Sequence, residues 1–150
     1  VGPADQALRL LLRHSEWWER LAAEDHELLH HLPEPHGPLS NWLERQLHEH
    51  GPLAWGALRE GLGDELRAAA TGLMDSVAVD DVVEFDDLRR VINLLWRRQL
   101  KERGEELARL GDDDPQARRE LLEVHRRLQA LDNPAAPVPR EGRSGPAAIA

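Results

Sequence analysis

Several kinds of residue are scarce or missing in this 150-residue chain, and each gap excludes a class of structure. There is no cysteine, which excludes both a disulfide framework and a zinc site built on thiolates. There is no tyrosine, only one phenylalanine and little valine or isoleucine, so the material for a β-sheet is poor. No apolar run approaches the ~18 residues that a membrane-spanning helix needs, and no signal-peptide pattern opens the chain. We therefore expect a soluble cytoplasmic protein with no membrane partner.

Leucine, alanine, glutamate and arginine, all favourable helix formers, dominate the composition instead. Apolar residues recur at the three- and four-residue spacing of amphipathic helices, and glycine or proline interrupts them often up to residue 83. The pattern predicts an all-α fold. The expected short helices cover residues 4–14, a segment with Ser15 as its N-cap, and residues 25–32, 39–50, 53–61 and 64–76. Residues 77–83 are β-branched and acidic, which favours an extended connector.

These short helices and the start of the next one carry enough leucine to close a small bundle. The expected core residues are Leu8, Leu11, Leu21, Leu43, Leu47, Leu58, Leu62, Leu66, Leu73, Phe85, Leu88, Val91, Ile92 and Leu95. Trp42 and Trp96 lie in apolar stripes and are assigned to the interior. Trp17 and Trp18 are adjacent, about 100° apart on a helix. Both can be buried only if their helix is packed on two sides, so one of them is a candidate for exposed contact with a partner.

Two long helices follow, and the second begins soon after the first ends. Residues 85–110 contain no proline and one internal glycine, Gly104, where we expect a bend. Asp114 is placed to cap the second helix, with Pro115 at its first position. Two sets of residues share a heptad register: Leu121, Val124, Leu128 and Leu131 on one helix, and Trp96, Leu100, Leu107 and Leu110 on the other, with Arg103 as the polar exception. This spacing predicts an antiparallel helical hairpin that projects from the bundle.

The expected organisation has four parts: a linker or expression remnant (1–3), a helical bundle (4–95), a protruding hairpin (96–131) and a disordered tail (132–150). The formal net charge is −9, and only Lys101 among the 19 cations is lysine. Residues 1–96 hold 8 arginines against 18 acidic residues, whereas residues 97–131 hold 9 cations against 8 acids. An acidic domain without a basic stripe is a poor nucleic-acid binder, so direct binding to nucleic acid is not expected.

Chemical motifs are also missing. The chain has no Walker loop, dinucleotide fingerprint, nucleophile elbow or His-Glu-x-x-His pair. His26 and His30 have the i, i+4 spacing of a metal pair, but a solvated helix face is the favoured interpretation. A run of acidic residues could also attract a cation: Asp80, Asp81, Glu84, Asp86 and Asp87. Acids at a helix start are favoured by the macrodipole, and no calcium-loop spacing is present. We expect no catalytic centre, metal or cofactor, and a small metal-dependent enzyme is the alternative.

The ordered features resemble a known family. They comprise Leu-Leu-Arg-His-Ser-Glu at 11–16, the proline-rich turn at 33–38, Gly-Pro-Leu at 51–53, Phe-Asp-Asp-Leu at 85–88, Leu-Leu-Trp-Arg-Arg-Gln-Leu at 94–100 and Arg-Arg-Glu-Leu-Leu at 118–122. Over roughly residues 4–132 this series resembles the C-terminal helicase-binding domain of bacterial DnaG-type primases. The full-length proteins of that family are DNA-dependent RNA polymerases, whose zinc-binding and polymerising domains would precede this segment.

The resemblance implies partners and contact residues. The hairpin would dock on the N-terminal domain of the hexameric replicative helicase and couple primer synthesis to the replication fork. The implied docking residues are Leu121, Leu122, Val124, Arg126, Arg127, Leu128, Gln129 and Leu131. Some relatives bind the acidic tail of single-stranded-DNA-binding protein on the first helix, where Arg9 and Arg13 are the basic candidates. Another interpretation is the N-terminal domain of the helicase itself or another helical scaffold. A helicase domain should continue into a linker and a Walker-loop ATPase, whereas this chain continues into proline and alanine.

Overall fold

The computed structural model describes residues 2–75, 83–111 and 113–132 and shows the expected all-α fold. Within those ranges it contains helices and turns but no strand. The elements in chain order are α1 (Pro3–Arg13), a 3-10 helix (Ser15–Arg20), α2 (Ala23–His30), α3 (His36–His50), α4 (Trp55–Glu60), α5 (Asp64–Asp75), α6 (Phe85–Arg109) and α7 (Pro115–Asp132). The predicted connector at 77–83 and the predicted tail at 132–150 lie outside the described residues, except for Val83 and Asp132.

The chain divides into two compact units, Val1–Trp96 and Arg97–Ala150. Helix α6 contributes its first half to the first unit and its second half to the other. Trp96, which the heptad pattern placed in the hairpin, belongs to the first unit, because its indole Nε1–H donates to Asp25 at 2.8 Å. The two units are described separately.

The beginning of the first unit corrects two expectations. Helix α1 starts at Pro3, which occupies its first turn, so Pro3 is not part of a linker. Proline is tolerated there because its missing N–H would have no helical partner. Ser15 is not an N-cap but the first residue of the 3-10 helix, and it is buried. Its Oγ donates to the Leu53 carbonyl at 2.7 Å and accepts from the Leu53 N–H at 2.9 Å, which ties the 3-10 helix to the segment before α4.

The core of the first unit follows the leucine pattern. Its fully buried large side chains include Leu8, Leu11, Leu43, Leu58, Leu88 and Ile92. Leu66, Leu73, Phe85 and Val91 are only partly buried and pack against this cluster. The close approach of the first turn of α3 to the turn after α2 requires a glycine, because a Cβ at Gly37 would lie 2.2 Å from the Leu32 carbonyl oxygen.

Both adjacent tryptophans are buried, so neither is the exposed contact that the sequence left open. Trp17 stacks on His14, with ring centroids 4.1 Å apart, and meets the edge of Phe85. Trp18 stacks on His26, with centroids 4.3 Å apart. The 3-10 helix is therefore packed on two sides, which is the condition for burying both indoles.

The second unit is built from the end of α6 and from α7. Leu100 and Leu107 on α6 and Ala117 and Val124 on α7 are buried. Gly104 faces α7, and a Cβ there would lie at ordinary contact distances, 3.5 Å from Val124 and 3.7 Å from Leu121. The expected bend at Gly104 stays a prediction.

Ion pairs in the second unit show the relative direction of its two helical segments. Arg97 pairs with Asp132, and Arg103 Nε donates to Glu120 at 2.8 Å. Residues later on α6 thus meet residues earlier on α7, so the two segments run antiparallel.

The turn between the two segments corrects one expected seam position. Helix α6 ends at Arg109, and Gly111 follows with a φ of 84°, a conformation that glycine adopts without strain. Leu110 therefore lies beyond the helix and is exposed. Asp114 caps α7 as expected, accepting from the backbone N–H groups of Gln116 and Ala117.

Candidate docking surface on helix α7

Helix α7 separates the predicted docking residues into a buried set and an exposed set. The structure places Val124 in the core of the second unit, where it is not available to a partner. Leu121, Leu128, Leu131 and Arg127 are half-buried, whereas Leu122, Arg126 and Gln129 are exposed. Leu122 follows Leu121 by one residue, which turns its side chain about 100° further round the helix. Its side chain is 69% exposed, the highest value among the large apolar residues exposed in the described ranges.

Leu122 lies in a shallow concavity of about 550 Å³ that is mostly apolar. The residues lining it are Pro115, Arg118, Arg119, Leu121, Leu122 and His125, and we name this set the α7 outer face. The family resemblance pointed to later positions on the helix and missed Pro115, Arg118, Arg119 and His125. A signal for them was present, because Arg118, Arg119 and His125 stand four and three residues before and three residues after Leu122, which places them around it on the helix surface.

Arg118 and Arg119 are exposed and form no ion pair within the described residues. Their spacing from Asp114 and Glu123 would allow i, i+4 pairs. The structure uses those carboxylates elsewhere. Asp114 accepts the N-terminal amides of α7, and Glu123 pairs with Arg126. Among the described residues, therefore, no carboxylate pairs with the two guanidinium groups beside Leu122.

The charges on the neighbouring side of α7 are neutralised within the second unit. Arg103 donates two hydrogen bonds to Glu120, at 2.8 and 3.0 Å, and one to Glu106 at 2.7 Å. The hydrogen bonds from Arg103 hold the pKa of the Glu120 carboxyl below its ordinary value. Glu120 is thus committed to Arg103, and it does not neutralise the α7 outer face.

The arginines at the start of α6 form ion pairs within the first unit. Arg89 forms a two-pronged ion pair with Asp25 of α2, at 2.9 and 3.0 Å, and Arg90 meets Asp87 at i, i+3. These contacts are structural, since each cation neutralises a carboxylate of the same unit.

The histidines considered as metal ligands are engaged in the bundle. His26 Nε2 lies 2.8 Å from the Trp18 carbonyl oxygen. His30 has Ser40 Oγ at 3.2 Å on one ring nitrogen and Glu44 Oε1 at 2.6 Å on the other. In the part of the chain that is described, no three histidine or carboxylate side chains are grouped as a metal site would require.

Asp80 and Asp81 of the acidic run lie outside the described residues. Asp87 of that run accepts the Glu84 N–H at 2.8 Å, so it caps the start of α6.

The first helix offers less to a partner than its sequence suggested. Arg9 and Arg13 are half-buried on α1, and each already interacts with another group of the chain. Asp5, on the same helix, lies 2.6 Å from His36 Nε2. Among the described residues, no helix combines the length and the hydropathy needed to cross a membrane.

No family model matches this chain, and no curated protein and no solved structure is significantly similar to it.

Proposed function

We propose that this chain is a protein-docking module, the helicase-binding domain of a bacterial DNA primase, and that the α7 outer face contacts the N-terminal domain of the replicative helicase. The ordered sequence features that resemble that family support the identity of the partner. An exposed leucine beside two arginines that form no ion pair with the described residues supports the surface. Docking there would hold primer synthesis at the replication fork.

The observation that carries the proposal is the exposure of Leu122. Its neighbours Leu121 and Val124 satisfy the contact with α6, so Leu122 has no role in closing the second unit. Burying a leucine side chain against a partner contributes roughly 1.5–3 kcal/mol. Arginine, the residue type of both neighbours at 118 and 119, is enriched among interface hot spots.

The test is an isothermal calorimetric titration of the full 150-residue chain with the N-terminal domain of the replicative helicase encoded in the same genome. We expect binding at micromolar concentration or tighter. Leu122→Ala should weaken it by about tenfold to a hundredfold, which corresponds to the burial energy of the leucine. Leu122→Glu should weaken it further, because a carboxylate would have to be desolvated.

Leu94 provides the matched control, since it is an exposed leucine on α6, 48% exposed, in the first unit. Leu94→Glu should leave the affinity unchanged, and circular dichroism should show that both variants fold. Absence of binding by the wild-type chain at micromolar concentration would refute the proposed partner. Equal binding by wild type and Leu122→Glu would refute the proposed surface.

A further inference from the structure

We infer that the segment seated on the α7 outer face is an acidic amphipathic helix, with an apolar side chain over Leu122 and carboxylates facing Arg118 and Arg119. The inference rests on the proposed function for the identity of the protein that carries this helix. Its chemistry rests on the face itself.

Charge is the first argument. The whole chain carries a formal charge of −9, yet no acidic side chain of the described residues lines this concavity. The nearest carboxylates along the helix, Glu120 and Glu123, are paired with Arg103 and Arg126. The cations of the face, Arg118 and Arg119, lie one helical turn before Leu122 and place positive charge beside its apolar side chain. At protein interfaces a positive patch usually faces a negative patch of the partner, which favours a partner with carboxylates.

Shape is the second argument. Pro115 and His125 mark the ends of the face, ten residues apart, which is about 15 Å along a helix. A partner helix of about three turns covers that length. The described elements include no strand, so this surface offers no sheet edge on which an extended peptide could form main-chain hydrogen bonds. A helix that lays an apolar stripe into a groove needs no such edge.

Nucleic acid is the competing occupant, and the face suits it poorly. Affinity for a phosphate backbone grows with the number of phosphates that are neutralised. Among the described residues that line the face, only Arg118 and Arg119 are permanent cations. The apolar centre at Leu122 has no use in a phosphate contact. A leucine with two arginines beside it suits instead a peptide helix that carries an apolar stripe next to carboxylates.

In the first test, two synthetic 16-residue peptides are titrated into the full ¹⁵N-labelled chain, and binding is measured from its NMR amide signals. Both carry leucines at helical i, i+3, i+4 and i+7 positions, one with glutamates beside them and the other with lysines. We expect the glutamate peptide to shift amide signals of residues 115–125, and the lysine peptide to bind at least about tenfold more weakly. No shift at millimolar glutamate peptide would overturn the inference. So would equal binding of the two peptides, or tighter binding of a 20-nucleotide single strand to the same residues.

The second test uses matched charge reversals. The double variant Arg118→Glu/Arg119→Glu should weaken the glutamate peptide by about tenfold or more, since exposed ion pairs contribute modestly and here turn into repulsions. The control Arg98→Glu/Lys101→Glu makes the same change in net charge at two exposed cations of α6 in the same unit. It should weaken binding less than about twofold. If both double variants weakened binding of the glutamate peptide equally, the cause would be the net charge of the chain, and the inference would be overturned.

The same variants separate this inference from the proposed function. If the helicase domain does not bind while the glutamate peptide binds residues 115–125, the proposed partner fails and the inference stands. If the helicase domain binds in a Leu122-dependent way but tolerates Arg118→Glu/Arg119→Glu without loss, the inference fails and the proposed function stands.

Discussion

Replacing Asp25 with asparagine should lower the free energy of unfolding of the first unit by about 3 kcal/mol, the low end of the range for removing one partner of a buried ion pair. The carboxylate is buried, with its side chain 5% exposed. It accepts two hydrogen bonds from Arg89, one from the Trp96 indole and one from the Ala22 amide. An asparagine side chain would present an N–H₂ group to donors that need an acceptor.

The low end of the range applies because the Arg89 side chain is 34% exposed. Once unpaired, it keeps part of its hydration, whereas a fully buried cation would not. For a domain of this size, each kcal/mol shifts the midpoint of thermal unfolding by roughly 4–8 °C. The variant should therefore melt roughly 12–24 °C below the wild type.

Tryptophan fluorescence is the suitable assay. All five tryptophans of the chain lie in the first unit, so the signal reports the unfolding of that unit alone. Asp75→Asn is the matched control, because Asp75 is an exposed aspartate at the end of α5. Surface substitutions of that kind change stability by about 0.5 kcal/mol or less. A loss below about 1 kcal/mol for Asp25→Asn, or a loss equal to that of Asp75→Asn, would refute the assignment of Asp25 as a central buried anion.

The pH dependence gives an independent check. Burial alone raises the pKa of the Asp25 carboxyl, but the hydrogen bonds from Arg89 and Trp96, the guanidinium charge and the Ala22 amide outweigh it, so the net pKa is lowered. A carboxyl with a lowered pKa in the folded state stabilises above its unfolded pKa, about 3.9, and loses that contribution as pH falls through the folded value. The stability difference between wild type and Asp25→Asn should therefore be constant from about pH 7 to 5 and shrink below about pH 4. A difference that persists to the acid end would show that the charge is not its source.

Three smaller predictions follow from single contacts. Ser15→Ala should lower the stability of the first unit by roughly 1–3 kcal/mol in thermal melts, because the Leu53 N–H and carbonyl lose their shared partner. An unchanged midpoint would mean that water replaces the hydroxyl. Gly104→Ala should stabilise the second unit by up to about 1 kcal/mol, since the added methyl group meets Val124 at an ordinary contact distance and alanine favours the helix. Slower amide exchange along α7 would report this gain, and faster exchange would contradict it. Arg103→Gln should return the pKa of Glu120 to its ordinary range in an NMR titration, because the hydrogen bonds from Arg103 hold it down. If Glu120 had the same pKa in Arg103→Gln as in the wild type, this ion pair would not persist in solution.

The helices could be predicted because their signals are local. Leucine spacing, the Gly51-Pro52 stop and the Asp114-Pro115 start act within a few residues, and the structure contains helices at each of those places. The exceptions depend on distant partners. Ser15 has the residue type of an N-cap, but its hydroxyl binds Leu53, 38 positions away. The partner of Arg89 is 64 positions away, which no i, i+4 pattern can show.

The candidate surface was predictable only in part for the same reason. The heptad pattern separates Leu122 from the residues that face α6, so its exposure follows from the sequence. That Arg118 and Arg119 form no ion pair with the described residues does not follow from it. The acidic residues at helical spacing, Asp114 and Glu123, predict ion pairs with them. The structure shows instead that Asp114 caps α7 and that Glu123 pairs with Arg126.

The contacts of Asp25 also bear on how the protein is made. Its donors Arg89 and Trp96 follow it in the chain by 64 and 71 residues. During synthesis on the ribosome, α2 and its carboxylate emerge long before the side chains that neutralise it. The first unit therefore cannot bury Asp25 in its native setting until the first half of α6 has left the exit tunnel, so completion of this bundle waits for the translation of that helix.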